Sequence, residues 1–595
     1  MRPFPQTALA AVLLCLAGLA QASVTIDRVE VRGLDEDDDD EALMIDNIRV
    51  GLSLDDQLRR RLSESRLEYL LGQVPSETRQ ALEPFGYYDP TISVDAPRRG
   101  GEDERLTVVI TVAKGEPVRV READLQIEGE GGQDFYLEED LDAFSPRPGQ
   151  VFDHSLYEAS KLRIVRRLLE RGYFDADFTF RRVEVTRAER AADITLAWAS
   201  GIRYDMGPTL FHQDYFRTGL LDQLVYWEEG SYFHQGRLDR LRESLVRLDY
   251  FSAIDVQPRV VDAVNGQVPI AVNLTLANRD VYTTGVSYGT ESGAGVRLGL
   301  ERRFVNARGH KLSAQLDYAQ NRKSLLTQYR IPAFRWLDGW YAAALRGYDE
   351  QTEYIDTRRL ELIASRSGEF SEQWTGIASL HAVRERWSYD EIDRAGATIY
   401  QYSTLTYPQL TAQYVSVDDR VFPRAGFSGS VALRGGVEGA GSDASFAQMR
   451  TVVRWYRGIG EDSRLLVRGE VGATSTSALV SLPPSLRFFA GGDRSVRGYA
   501  FREVGPRLPN RFALGAKNVL TGSVEYERYL RGSRWGGAVF VDTGSAFDED
   551  SDFRTGVGVG LRWRSPVGPV RVDVARGLDD PDSSFQLYLN IGADF

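Results

Sequence analysis

Cysteine is almost missing from this chain of 595 residues: the one thiol, Cys15, sits in the N-terminal stretch MRPFPQTALAAVLLCLAGLAQAS. An arginine, an apolar run from Ala8 to Ala20 and an Ala20-Gln21-Ala22 cleavage signature give that stretch the pattern of a secretory signal peptide. Residues 1–22 are therefore expected to be removed, leaving Ser23 first, and Leu14 ahead of Cys15 does not suit a lipoprotein cleavage site. A mature chain without a thiol has no disulfide and no Cys-ligated metal. Long hydrophobic runs are missing too. Beyond the leader nothing approaches the roughly 18 apolar residues of a membrane-spanning helix, so the chain is either soluble outside the cytoplasm or crosses a membrane as a barrel. Positive charge is also in short supply, with 72 Lys and Arg against 86 Asp and Glu and a formal charge of −14. No basic footprint for nucleic acid offsets it. The five histidines, His154, His212, His234, His310 and His381, lack metal-ligand spacing. No metal, cofactor or catalytic constellation is expected, and the chain does not read as an enzyme.

What is present falls into two halves. In the first, three segments end alike: ALEPFGYYDPTISV near residue 86, RRLLERGYFDADFTF near 172 and SLVRLDYFSAIDVQ near 249. Each couples a helical stretch to two aromatics and a strand. Helical spacing marks Leu162, Val165, Leu168 and Leu169 in the second, and Leu238, Leu241, Leu245 and Leu248 in the third. Alternating strands close each unit, at Leu106–Val112, Ile194–Trp198 and Ile270–Leu276. The repeat of about 80 residues is a small α+β unit with helices on one face of a sheet. The boundaries expected are 23–115, 116–201 and 202–278. The exposed edge strands of such units suit addition of an extended polypeptide. The acidic run Asp35–Glu41 lacks the spaced ligands of a calcium loop and is expected to be a solvated loop.

From about Asp280 the helical period gives way to short alternating runs. SFQLYLNIGADF sets Phe585, Leu587, Leu589, Ile591, Ala593 and Phe595 on one face and Gln586, Asn590 and Asp594 on the other. FRTGVGVGLRW opposes valines to Arg554, Arg562 and three glycines, and VRVDVA opposes Val570, Val572 and Val574 to Arg571 and Asp573. Apolar outside with polar or small inside is the pattern of a membrane barrel, although a soluble sandwich alternates as well. Aromatics near strand ends, as in FRWLDGWY (334–341), suit an interfacial girdle. At about 20 residues per strand and connection, residues 279–595 hold about 16 antiparallel strands. GVSYG (285–289) matches a hydrolase nucleophile elbow, yet turn and strand follow it rather than the helix an elbow requires.

Residues 474–512 form the longest stretch without alternation, and GGDRSVRGY within it carries Arg494 and Arg497 among glycines. Downstream, WGGAVFVDTG points Val539 and Val541 one way and Ala538, Phe540 and Asp542 the other, into the lumen. A lumenal carboxylate needs a cation, and a guanidinium matches it best. The loop is therefore expected to fold back into the barrel and pair Arg497 with Asp542. VRGY at 496–499 with FVDTG at 540–544, behind repeat domains and ahead of a C-terminal Phe, resembles the polypeptide-transport-associated (POTRA) outer-membrane superfamily of barrel assembly proteins and two-partner secretion transporters. Three repeats match its TamA-like branch, the translocation and assembly module subunits, with Asp249 departing from the glycine of the other repeats.

The resemblance implies three POTRA domains plus a 16-stranded antiparallel barrel in the outer membrane of a Gram-negative bacterium, with the repeats in the periplasm. It implies assistance to the insertion of autotransporters and other nascent outer-membrane proteins, in contact with outer-membrane lipid and a TamB-like inner-membrane-anchored partner. Arg497, Gly498, Tyr499, Phe540, Asp542 and Gly544 would lock the loop. Val286, Leu587, Leu589, Ile591 and Phe595 would flank a seam weakened by Gly285, Gly289 and Gly592. The alternative within the superfamily, a two-partner secretion transporter passing an extended polypeptide, would be marked by a plug helix before the first repeat, where Val24–Val31 reads as a strand.

Overall fold

The structure, a computed structural model, describes residues 23–95, 98–99, 105–289, 292–334, 337–351, 355–389, 398–507, 514–565, 568–579 and 585–591. The leader with Cys15, and Phe595, lie outside the described residues.

Each repeat folds because an alternating sheet face and a helical stripe need one another. The first holds β1 (Ser23–Arg32), α1 (Asp39–Gly51), β2 (Arg61–Ser63), α2 (Glu64–Leu82), β3 (Thr91–Asp95), β4 (Arg98–Arg99) and β5 (Arg105–Ala113). Its sheet runs β2-β1-β5-β3, with β4 also on β5. Leu106, Val108, Ile110 and Val112 are buried against Ile45, Ile48, Leu67 and Leu70. The acidic run is not a free loop. Asp38 caps α1, accepting from the Asp40 and Glu41 amides, and Asp39–Glu41 form its first turn, where negative charge meets the positive helix end.

The second repeat holds β6 (Arg119–Glu128), α3 (Phe135–Asp142), α4 (His154–Glu170), β7 (Asp177–Thr186) and β8 (Ala191–Ala199), with sheet order β6-β8-β7. Here the helical phase expected from leucines is corrected: α4 buries Tyr157, Ser160, Ile164 and Leu168, and Leu162 and Leu169 are exposed. In the third, β9 (Asp205–His212), α5 (Gln235–Leu248), β10 (Phe251–Pro258) and β11 (Gln267–Leu276) give the order β10-β11-β9.

The aromatic motif that ends each helix makes a joint. Gly86 and Gly172 have φ of +87° and +90°, which glycine adopts without strain. Their carbonyls accept from the amides of Val118 (2.8 Å) and Tyr204 (3.0 Å) in the following segment. Tyr88 is buried in the core of the second repeat rather than the first. At the third motif Asp249 takes φ +54° and accepts from Arg303 Nε at 2.7 Å, while the Tyr250 hydroxyl donates to the Gly309 carbonyl. The departure from glycine thus exchanges conformational ease for an ion pair with the turn after the second barrel strand.

The remaining sixteen strands form one antiparallel sheet in chain order. They are β12 (Asp280–Gly289), β13 (Gly293–Arg302), β14 (Lys311–Ala319), β15 (Arg322–Pro332), β16 (Gly339–Gln351), β17 (Asp356–Glu369), β18 (Trp374–Ser388), β19 (Gln401–Val417), β20 (Gly426–Gly436), β21 (Phe446–Ile459), β22 (Ser463–Ser475), β23 (Asn518–Tyr529), β24 (Trp535–Phe547), β25 (Arg554–Ser565), β26 (Gly568–Gly577) and β27 (Gln586–Ile591). The chain enters at the start of β12, so the connections at 303–310 and 418–425 lie at the near end, and the last residues of β16, β18 and β22 at the far end. Leucines and valines of alternate positions face outward, as at Leu360, Leu362, Val539 and Val541, while Glu361, Glu385 and Asp542 are buried inside. FRWLDGWY joins an outward girdle only in part: Tyr341 is exposed, but Phe334 is buried and packs its ring 6.1 Å from Trp340. Ser287 of GVSYG lies within β12, paired with Gly295, and no strand-turn-helix elbow exists there.

Candidate functional site

The connection from β22 to β23, described at 476–507 and 514–517, turns back into the sheet's interior. Phe488, Ala490, Val496, Tyr499, Val504 and Ala516 pack with Val519 and Ala546 of the wall into a buried apolar cluster. Two short bridges, Phe488 with Ala516 and Ala490 with Val504, hold the loop to itself. Polar ties reach several strands: Ser485 to Glu385 of β18, Arg502 Nη1 to Glu350 Oε2 of β16 at 3.4 Å, and Asp493 Oδ2 accepting from Asn590 Nδ2 of β27 at 3.3 Å.

The two arginines of GGDRSVRGY part company. Arg494 is exposed, and Arg497 is 4% exposed amid carboxylates. Arg497 Nε donates to Asp542 Oδ2 at 2.7 Å and Nη2 to Oδ1 at 2.9 Å, a two-pronged pair, and the Arg497 amide adds a third bond to Asp542 at 3.0 Å. Nη1 reaches Glu525 Oε2 at 2.7 Å and Asp573 Oδ2 at 3.1 Å. Ser523 Oγ accepts from Nη2 at 3.3 Å and donates to Asp542 Oδ1 at 2.6 Å. The guanidinium lies 3.3 Å above the Phe540 ring, so its face and its edges are both occupied. A second arginine, Arg562, balances the acids: it donates to Glu525 at 2.6 Å, Glu527 at 2.9 Å and Asp573 at 2.5 Å.

The neighbours of Arg497 need room, and glycine supplies it. On β25 a Cβ at Gly556 would fall on the Arg497 carbonyl oxygen, one at Gly558 on the Phe540 ring, and one at Gly560 on the Asp573 carboxylate. Gly544 stands where a Cβ would meet Thr521 at 2.7 Å. Gly498, at φ +100°, brings its Cα so close to β26 that a Cβ would lie 2.5 Å from the Arg576 carbonyl carbon. Its amide donates to Tyr588 Oη at 3.0 Å, and Tyr588 Oη donates to the Tyr499 carbonyl at 2.7 Å. Tyr499 in turn receives the Asp579 amide on its hydroxyl at 3.2 Å.

Arg497, Gly498, Tyr499, Phe540, Asp542 and Gly544, the residues expected to lock the loop, come together at one place. Ser523, Glu525, Glu527 and Tyr588 join them without being expected there, and Arg562, expected only on the polar face of its strand, is part of the same cluster. The signal for most of these was present: VEYERY alternates, putting Glu525 and Glu527 in phase with the lumenal face, and Tyr588 sits between Gln586 and Asn590 on the polar face of the last strand.

The seam residues lie apart from this cluster. Val286 of β12 is 89% exposed and Leu587 of β27 58%, both outward, with Leu589 partly exposed beside them. Ile591 ends β27, paired with Val570, and Phe595 is outside the described residues. Among the described residues β12 has a ladder only to β13, and β27 only to β26.

Residues 305–595 match the Omp85 superfamily domain, residues 28–112 match POTRA domain TamA domain 1, and residues 121–197 match a POTRA family described as surface antigen variable number repeat. The chain is similar to outer membrane protein assembly factor BamA of Nitratidesulfovibrio vulgaris, 23% identical over 520 residues covering 83% of this chain and 64% of the relative. It is similar also to BamA of Neisseria meningitidis serogroup B, 22% identical over 583 residues covering 85% of this chain and 70% of that one. It therefore spans 64% and 70% of the length of these relatives. In fold it resembles BamA from Haemophilus ducreyi lacking POTRA domains 1-3, with a TM-score of 0.66 at 17% identity, covering 80% of this chain and 99% of that chain.

Proposed function

The chain being an Omp85-superfamily barrel of the outer membrane with POTRA domains in the periplasm, we propose that it assists the insertion and folding of other outer-membrane barrel proteins, autotransporters among them, as the outer-membrane subunit of a translocation and assembly module. The domain plan that goes with this reading is a leader at 1–22, repeats at 23–115, 116–201 and 202–278, and the barrel at 279–595. The TamA-type first repeat supports that branch, and a TamB-like protein anchored in the inner membrane is the partner it calls for.

The observation that carries the reading is the contrast between a heavily bonded interior lock and a seam whose two strands share no ladder among the described residues. Arg497, Gly498, Tyr499, Phe540, Asp542 and Gly544 hold the wall from β23 to β27 in shape, and opening is left to the β12–β27 side. A client's terminal strand can then pair with an edge whose amides and carbonyls are otherwise costly in lipid. The wall beside the seam is also short, with 10 residues in β13 and 9 in β14 against 15 and 17 in β18 and β19. At about 3.4 Å per residue this thins the adjoining bilayer. Burial of the client's apolar face drives insertion, without nucleotide.

The test uses single cysteines at Val286→Cys and Leu589→Cys in the otherwise thiol-free mature chain and identifies crosslinked partners in living cells. Adducts with terminal strands of nascent barrel proteins support the proposal. Adducts confined to one secreted polypeptide overturn it in favour of the two-partner secretion transporter.

A further inference from the structure

A band of charge crosses the outer, lipid-facing surface of the barrel where apolar residues are the rule. Register places Tyr318, Lys323, Asp349, Arg358, Arg386 and Tyr402 directly opposite one another in succession, from β14 to β19. The outward direction follows from their neighbours: Arg358 alternates with buried Thr357 and Glu361 and shares its face with exposed Leu360 and Leu362, and Arg386 alternates with buried Glu385 and Trp387. The row lies within three residues of the strand ends on the far side, the side away from the periplasm.

The charges in the row do not balance. Asp349 pairs with Arg358 at 2.7 Å, and Asp356 lies 4.0 Å from Arg386. Arg358 and Arg386 face each other across β17 and β18, an arrangement that disfavours the sheet unless an anion lies between. Arg384, one pair further in, adds another cation and donates to Thr404 Oγ1 at 3.3 Å. The buried Nε of Arg386 has no hydrogen-bond partner among the described residues. Beside these cations runs a cavity of about 480 Å³ whose lining passes from Lys323, Arg358, Arg384 and Arg386 to Leu316, Leu325 and Leu360. Guanidinium groups with a lysine suit phosphate, and adjoining leucines suit an acyl chain. A free anion would have no use for the leucines.

We propose that this row is a binding site for a phosphate-bearing glycolipid of the outer leaflet, its phosphates on Lys323, Arg358 and Arg386 and an acyl chain along Leu316, Leu325 and Leu360. The site begins on β14, two strands from the seam strand β12, and runs to β19, so it holds an annular lipid along the wall that leads away from the seam. Charges at this depth are tolerated on a barrel's lipid face, near the interface rather than at the midplane.

The test is native mass spectrometry of the full-length protein in neutral detergent with diphosphoryl lipid A, its fully dephosphorylated form, or dioleoyl phosphatidylglycerol. Diphosphoryl lipid A is expected to bind about tenfold more weakly to the Lys323→Gln, Arg358→Gln, Arg386→Gln triple variant, equivalent to ~1.4 kcal/mol. The dephosphorylated form is expected to bind the unaltered protein no better than it binds the variant. Equal adducts on unaltered and triple-variant protein overturn the site, equal binding of the dephosphorylated form overturns the phosphate contact, and equal phosphatidylglycerol binding overturns the glycolipid. Heat-modifiable gel mobility reports whether the variant folds. Should it not fold, Asp349→Asn, which removes the competing carboxylate, carries the test: tighter binding of diphosphoryl lipid A supports the proposal and unchanged binding overturns it.

Discussion

Arginine serves two opposed purposes in this barrel, and the wall between them explains both. Inside, Arg497 and Arg562 are surrounded by Glu525, Glu527, Asp542 and Asp573 at hydrogen-bond distance. Outside, Arg358 and Arg386 oppose each other, with Asp349 on the far side of Arg358 and Asp356 no nearer than 4.0 Å to Arg386. A cation buried in protein must be answered by the protein itself, because nothing else reaches it. A cation at the membrane rim can leave the answer to solvent, to salt or to a lipid head group. Charge complementarity within the chain therefore marks structure, and its deficit marks a surface that meets something else.

Removing one member from each set sharpens that contrast. Arg497→Ala takes the paired cation from Asp542 and one of two from Glu525 and Asp573, and is expected to destabilise the barrel by about 3–5 kcal/mol, read as a lowered midpoint of denaturant unfolding in detergent micelles. A double-mutant cycle with Asp542→Ala is expected to recover about 1–3 kcal/mol of coupling; a coupling near zero would break the inner half of the comparison. Tyr588→Phe loses the bonds to Gly498 and Tyr499 and should lower stability by about 1–2 kcal/mol, while raising crosslinking from Leu589→Cys. On the outer face Arg358→Gln, measured in neutral detergent without anionic lipid, is expected to change stability by less than about 0.5 kcal/mol. A loss as large as that of Arg497→Ala would show the outer row to be structural.

The smallest effect expected lies in the repeats, where a cation is avoided rather than answered. Tyr88 Oη and His154 Nε2 share a hydrogen bond of 2.6 Å between the first two repeats. Burial pushes the Tyr88 hydroxyl up to about 12 and holds His154 below its ordinary value of 6.5. The folded joint thus prefers neutral imidazole. Its stability is fully present above pH 6.5 and is lost as pH falls from there through the lowered folded value. Hydrogen-exchange protection factors of peptides covering 84–90 and 150–158, taken relative to intrinsic rates at each pH, should fall between pH 7.5 and 5.5, and His154→Gln should flatten that response.

Much of this was legible in the sequence, for reasons particular residues make plain. Strict alternation in WGGAVFVDTG assigns Asp542 to the lumen because a strand has only two faces. An acid there asks for a nearby cation, and the long glycine-rich loop holds two. The expectation falls on Arg497 rather than Arg494, and the turn at Gly498, held close against β26, goes with Arg497 facing inward. The three glycines of β25 were visible as small lumenal residues, but what fills their space comes from distant segments and has no local signature. In α4 the leucines suggested one stripe, yet the sheet covers another through Tyr157 and Ser160, which apolar periodicity does not count. The outward basic row was equally hidden, since Lys323, Arg358 and Arg386 are brought level only by register across four strands.

Tyr588 gives the molecule a sense of its own completion. The loop it holds lies 90 residues earlier, at Gly498, and Arg497 waits in the same way for Asp573, 76 residues on. Contacts so distant in sequence form late, after the entropy of closing long segments has been met. During synthesis the loop can gather Glu525 and then Asp542, but its last hydrogen bonds arrive only with the final strand. A chain stopped before Gln586 would carry a loop incompletely bound, and the finished barrel is told apart from an unfinished one by a phenol and an amide of its last strand.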